Sequence, residues 1–378
     1  MTAFRVIVIG GGIAGAGTAF ALARRGAEVT VVDAAADGQA TAASAGIIAP
    51  WASAADGPFY DLYAQGAAHY PVVLERLADA GVTRTDYRRS GALFVNADPG
   101  ALDAAERTVR GRASEHPDVV GAIDRIDASE VRALFPPAAP ELSGLFVSGG
   151  ARVDGRTMRD ALLMGAGHHG ATVLRARVEL ERDSGRAVAR VDGERLESDA
   201  VVVAAGAWTV ELLRPVGLAL ALEPQRGQIA HLRVAGARTE QWPSVHPLSH
   251  HYIVAFDDAR VAVGATRETG SGFDTRVTAG GLRHVLADAL SIAPGLADAT
   301  VIETRVGLRP LSLDGLPYLG AAGDVPGLFV ATGFGAAGLT MGPFVGEALA
   351  AAILGDAPLA DLTPFAPGRA PATASARE

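Results

Sequence analysis

FRVIVIGGGIAGAGTAFALARRGAEVTVVD, residues 4–33, decides the fold. Residues 5–9 form a continuous apolar run, as a strand covered on both faces of a parallel sheet does. Gly10-Gly-Gly-Ile-Ala-Gly15 follows at once and matches G-x-G-x-x-G. Residues 14–25 then read as a helix, with Gly26 as its stop. The next run, AEVTVVD, is a second parallel strand ending on Asp33, 18 residues after Gly15. The chain holds 46 glycines, so the motif alone has little weight. The strand before it, the helix after it and the acid closing the next strand make it a dinucleotide-binding unit. Gly10 permits a tight turn, Gly12 lets the backbone approach a pyrophosphate, and Gly15 lets the helix pack close to the strand. Amides at the helix start stabilise the phosphate charge, and Asp33 is suited to accept from ribose hydroxyls.

Composition prunes the alternatives. The 378 residues are 49% hydrophobic, with a positive mean hydropathy, enough for two domains or one large one. The net charge of −9 comes without any basic block, which argues against nucleic acid as a partner. Cysteine is absent, which removes disulfides, iron–sulfur clusters and zinc thiolates. All 33 cations are arginine, so Schiff-base chemistry on lysine is excluded too. No secretory leader is evident, because residues 6–9 are too short for one and run into glycines; a cytoplasmic protein is the expectation.

Farther along, residues 170–208 are β-rich and include a buried strand over 200–204. Residues 89–148 combine a strand, GALFV, with a polar helix, and residues 224–303 alternate as antiparallel strands do. The fold class expected is α/β with an α+β whole: a Rossmann-like nucleotide domain interrupted by a mainly antiparallel substrate sheet. Residues 1–88, 149–223 and 304–365 are assigned to the first domain, and 89–148 and 224–303 to the second. Residues 366–378, rich in Pro and Ala, are expected to be disordered. The span 330–354, VATGFGAAGLTMGPFVGEALAAAIL, has one charge, Glu347, and the length of a membrane helix. Its five glycines and Pro343 point instead to a buried strand, a loop and a helix over 343–354, and no membrane span is expected.

The glycine motif does not distinguish NAD from FAD. TAASAGIIAP, residues 41–50, is a run of small residues able to pass close to a flat ring, although a bare loop reads the same way. The glycines of 333–338 fall at a strand-to-helix junction, and a helix N-terminus there faces the same crevice as the first. Two such ends suit a ligand with two separated negative regions, a pyrophosphate and a reduced flavin.

With these segments in order, the chain resembles the D-amino-acid oxidase superfamily of FAD-dependent oxidoreductases, in the manner of glycine oxidase and D-amino-acid dehydrogenase. The resemblance rests on the glycine motif with Asp33, on TAASAG, on DAVVVAAGAW (199–208), and on GLRPLSLDGLPYLG followed by GFGAAGLTMGP. It covers residue 6 to about 355, nearly the whole chain. It implies that Gly10, Gly12, Ile13, Ala14 and Gly15, with Asp33 and Ala34, hold the ADP half of a non-covalent FAD. Asp33 stands where glutamate is more usual, and either carboxylate accepts from ribose. Thr41, Ala42, Ala43, Ser44, Ala45, Gly46 and Ile47 would run beside the pyrophosphate and flavin ring. Val178, Ala204, Ala205, Gly206 and Trp208 would flank the adenosine. Gly333, Gly335, Ala336, Ala337, Gly338, Leu339 and Thr340 would wrap the ring and ribityl chain. Cysteine is absent, and no histidine lies in 41–51, so the covalent flavin links of some relatives are not expected.

The same resemblance makes Arg309 the arginine that holds a substrate carboxylate. A guanidinium offers a carboxylate a bidentate fork; the alternative is a structural arginine bonded to backbone carbonyls. Tyr252 matches a tyrosine that donates to that carboxylate, although a tyrosine on an alternating strand is as often core. Ile48, Phe334 and Gly335 complete the candidate substrate contacts, suggesting an apolar pocket for a hydrophobic or cyclic amino acid. His250 and His251, adjacent on an expected strand, point to opposite faces, so no metal site is expected. The expected reaction oxidises an amine that bears a carboxylate, by hydride transfer from its α-carbon to flavin N5, and the imine then hydrolyses to an oxo acid. Oxygen or another acceptor takes the electrons. The lysine that sarcosine oxidase-like relatives place over the flavin is missing, which tilts the expectation toward a dehydrogenase or a slow oxidase. A 2-hydroxy acid as substrate, NAD as cofactor, and a flavin subunit of a larger assembly stay open.

Overall fold

The apolar run at the N-terminus becomes an interior strand, Arg5–Ile9, of a six-stranded sheet in the computed structural model, which describes residues 3–369. It lies between Glu28–Asp33 and Ala200–Val203 and runs parallel to both. Thr172–Arg175 extends the sheet on one side, and Leu328–Thr332 with the antiparallel edge strand Tyr318–Ala321 on the other. Alternate side chains explain why these strands are apolar throughout. Val6, Val8 and Val202 face the helices Ile13–Arg24, Gly57–Asp79 and Gly155–His168. Ile7, Ile9, Val201 and Val203 face a three-stranded meander over residues 179–196.

The C-terminal apolar span resolves into the strand Leu328–Thr332, a short loop and the helix Gly338–Leu354. The helix begins five residues earlier than the sequence suggests, with Pro343 inside it. Proline has no N–H for the Leu339 carbonyl, and Tyr70 Oη donates to that carbonyl instead at 2.6 Å. Gly342 and Gly346 do not break the helix. A Cβ at either would meet the backbone of the helix Ile13–Arg24, and one at Gly17 would meet Gly342 and Pro343 at 3.1 Å, so the two helices touch backbone to backbone. Glu347, 3% exposed, is met by Arg25 at 2.7 Å, Arg76 at 2.6 Å and Arg24 at 3.3 Å. Among the described residues no helix is long and apolar enough to cross a membrane.

The second sheet has eight strands, antiparallel except where Ser244–His246 runs parallel to Ala92–Asn96. Its longest pair joins Leu222–Arg233 to Thr300–Ser312. The latter strand belongs to this sheet over its whole length, so a boundary at 303/304 would cut it. At its far end it reaches the nucleotide domain: Leu308 N–H donates to Gly38, Gly335 N–H donates to Pro310, and Leu311 bridges Phe334. Residues 366–369 are held in place, because Arg369 pairs with Asp314 at 2.8 Å and donates to the Leu316 and Pro317 carbonyls. The rest of the proline- and alanine-rich tail lies outside the described residues.

Candidate active site

A crevice of about 1300 Å³ runs between the two sheets. At its nucleotide end the chain turns sharply at Gly10, whose φ of +104° is open to glycine alone. A Cβ on Gly10 would collide with the Ala204 carbonyl, and one on Gly15 with the Gly10 carbonyl. A Cβ on Gly12 would meet only Thr41 Oγ1, at 3.4 Å, so its open side faces the crevice. Thr41 Oγ1 accepts from Ile13 N–H at 3.0 Å in the first turn of the helix that starts there, and Gly12, Ile13 and Ala14 line the wall. The N-cap residue of the helix Gly338–Leu354, Ala337, gives no side-chain cap, and the first helical residues, Gly338 and Leu339, line the same crevice. Two helix starts on one cavity favour negative charge in it. A small-residue wall of Ala43, Ser44, Ala45 and Gly46 lies between them. Gly307 allows the strand Thr300–Ser312 to cross over this wall, since a Cβ there would sit 2.9 Å from Ala43 Cβ. Charge, length and a smooth wall fit a dinucleotide carrying a planar ring.

Asp33, Ala34, Thr41, Ile47, Val178, Ala204, Ala205, Gly206 and Trp208 also line the crevice, as do Phe334, Gly335 and Ala336. Asp33 is already engaged. One oxygen accepts from Gly11 N–H, and the other from Ala35 N–H and the Gln39 amide. The carboxylate therefore braces the glycine turn, and a ribose hydroxyl would share it. Several expected contacts fall behind the wall. Gly15 is taken up in helix packing, and the Ala42 carbonyl accepts from Arg156. Gly333 turns at φ +84° against Pro317, Ala337 lies in the core, and Thr340 Oγ1 donates to the Ile47 carbonyl. Ile48 is corrected as a substrate contact: it pairs with Ala151, is 2% exposed and packs inward with Trp51.

The end of the crevice that holds Arg309 is less apolar than the sequence suggests. Arg309 lies in the crevice and donates to the Thr266 carbonyl at 3.0 Å, which fixes the guanidinium and leaves most of its donors over. Tyr252 hydrogen-bonds the same guanidinium. Burial pushes its hydroxyl above the ordinary tyrosine range, against the pull of Arg309, so it stays a donor. Gly227, across the strand pair, makes room: a Cβ there would sit 2.5 Å from the Arg309 nitrogens.

Arg267 and His246, neither of them singled out from sequence, share this end with His250. Arg267 makes no ion pair or hydrogen bond among the described residues. Burial, and then Arg309 beside it, lower its pKa, the signature of two like charges sharing one cavity. Arg267 in turn lowers the pKa of His250. His246, its ring tilted against that of Phe94 and bonded to Ser244 Oγ at 2.9 Å, is held neutral by burial, its pKa lowered to about 4. Little in the sequence marks Arg267, which follows a strand as an ordinary surface arginine would. Gly227 was legible as a glycine in a strand interior, which signals a close approach.

Comparison with known proteins agrees with this geometry. The family model for FAD-dependent oxidoreductases named DAO matches residues 5–352. The uncharacterized oxidoreductase YurR of Bacillus subtilis (strain 168) is 43% identical, over 96% of this chain and 98% of the relative. Among solved structures, iminodiacetate oxidase from Chelativorans sp. BNC1 superposes with a TM-score of 0.94 at 45% identity, covering 96% of this chain and 99% of the other. Glycine oxidase from Geobacillus kaustophilus superposes with a TM-score of 0.83 at 27% identity, covering 97% and 99%. With glycine turn, helix starts and crevice all in the expected places, the chain belongs to the DAO family of FAD-dependent oxidoreductases.

Proposed function

We propose that this enzyme oxidises a secondary amine flanked by two carboxylates, a substrate of the iminodiacetate kind. The observation that carries the reading is the pair Arg309 and Arg267, two guanidinium groups in one crevice with no carboxylate paired to either among the described residues. Arg309 would take one carboxylate, with the Tyr252 hydroxyl as a second donor, and Arg267 would take the other. Held at both ends, the substrate presents the carbon beside its nitrogen to the ring site in one orientation, which removes rotational freedom from the reacting state. Bound FAD supplies the acceptor for the two electrons and the hydrogen that leave that carbon. The amine binds in its neutral form, and the imine product adds water and divides into an oxo acid and a primary amine. The sequence match to iminodiacetate oxidase supports the substrate class, and the charged lining replaces the hydrophobic or cyclic amino acid as the expected substrate.

The test is anaerobic bleaching of the flavin with iminodiacetate, sarcosine, glycine and D-alanine, on the wild type and two variants. A charge-assisted pair contributes about 1.5–3 kcal/mol, roughly 10- to 150-fold in affinity. Arg309→Ala is expected to weaken every carboxylate substrate by that factor. Arg267→Ala is expected to weaken iminodiacetate alike and sarcosine little. Equal effects of Arg267→Ala on both would remove the second carboxylate from the proposal. No effect of Arg309→Ala on either would remove the whole reading.

A further inference from the structure

Three metal-ligating groups converge beside Tyr252 and are used by nothing described so far. His251, directly before the strand Tyr252–Ala255, brings Nε2 against Asp288 Oδ2. His284 lies one turn before Asp288 on the helix Ala279–Ile292, with Nε2 at 3.5 Å from the same oxygen. Spacing of four residues sets both helix groups on one face. The two imidazole rings meet edge to face, centroids 5.2 Å apart, and a ligand atom from each of the three residues lies within 4.8 Å of the others.

The Gly264 carbonyl lies beside the same His251 ring. A carbonyl on Nδ1–H would leave the lone pair on Nε2, which is how imidazoles that ligate metals are oriented. Nε2 is in contact with a carboxylate oxygen, an arrangement that a cation between the two atoms satisfies. His284 is 56% exposed and Asp288 33%, so an ion reaches the cluster from solvent.

We propose that His251, His284 and Asp288 form a divalent transition-metal site, and that zinc, with water as fourth ligand, is the ion it fits. Two imidazoles and one carboxylate are ordinary zinc ligands, and no thiolate is needed. Tetrahedral zinc bonds of about 2.0–2.2 Å set donors roughly 3.3 Å apart, so the longest edge of the cluster closes by about 1.5 Å. The bound ion ties the helix Ala279–Ile292 to the head of the strand that carries Tyr252. It thereby fastens that wall of the crevice from behind.

The experiment uses FAD-loaded protein, treated with a chelator, exchanged into a non-coordinating buffer and free of substrate. Zinc chloride is titrated in by calorimetry, with flavin absorbance and circular dichroism as checks on folding. One equivalent is expected to bind the wild type. His284→Ala and Asp288→Asn are each expected to weaken binding at least about tenfold, whereas His168→Ala, an exposed imidazole on another helix, leaves it unchanged. Absence of saturable binding at one equivalent overturns the proposal. So does an affinity that His284→Ala and Asp288→Asn leave alone, or one that His168→Ala lowers as much as they do.

Discussion

Glu347→Gln isolates the only charge in the C-terminal apolar span. The carboxylate is 3% exposed and pairs with Arg24, Arg25 and Arg76, which are 19–29% exposed. Glutamine has almost the same volume, so the substitution opens no cavity and removes charge alone. Each pair at about 4 Å is worth roughly 4 kcal/mol at the effective dielectric of a protein edge, and desolvation of the carboxylate offsets several kcal/mol of the total. Breaking a buried pair costs about 3–5 kcal/mol, and the partly wetted arginines favour the lower end. A loss of about 3 kcal/mol is expected. The assay is urea unfolding at fixed free FAD, with the slope compared to establish that only the midpoint moves. Arg24→Ala should cost far less, because the two closer arginines remain. Burial opposes ionisation of Glu347, but Arg25 and Arg76 outweigh it and hold its pKa below the usual glutamate value. Its contribution is therefore complete above that value and disappears as pH falls through the lowered one. A Glu347→Gln protein within 1 kcal/mol of wild type would refute the reasoning, and the hub would then be a solvated cluster.

Other expectations follow from features that can be probed singly. Gly227→Ala should displace the Arg309 guanidinium by about 1 Å and raise KM at least about tenfold with the flavin spectrum intact; a KM within twofold of wild type contradicts it. Tyr70→Phe strands the Leu339 carbonyl that Pro343 cannot serve, and should cost about 1–3 kcal/mol in urea unfolding. Burial lowers the pKa of His69 and of His246 to about 4 and that of His231 to about 3, from an ordinary 6.5. Folded protein thus binds fewer protons than unfolded protein in that window. Stability is complete above about pH 6.5 and falls toward pH 4, by up to about 1.4 kcal/mol per pH unit for each histidine. A flat urea midpoint between pH 6.5 and 4.5 would exclude this.

Much of the fold was legible because its signals are local. The turn at Gly10, the strand ending at Asp33 and the stop at Gly26 each depend on neighbours in sequence. The helix start at Gly338 was missed because Pro343 reads as a first-turn residue. Only a tyrosine from a distant helix, Tyr70, lets the proline sit deeper. Ile48 and Trp51 look like pocket residues by composition, and a two-residue pairing with Ala151 turns that stretch into the core. The four-residue spacing of His284 and Asp288 is visible in the sequence, but Arg267 and the meeting of His251 with that pair arise where elements meet.

The strand Thr300–Ser312 has a mechanical consequence. One end is bonded along the substrate sheet, and the other is stitched to the loop at Gly38 and to Gly335. A hinge needs a stretch of backbone free to rotate, and here the connecting stretch is laddered along one side to Leu222–Arg233 and bridged at Leu308 and Leu311 on the other. The strand therefore opposes bending between the two sheets at this seam, and Arg309 sits on the braced stretch.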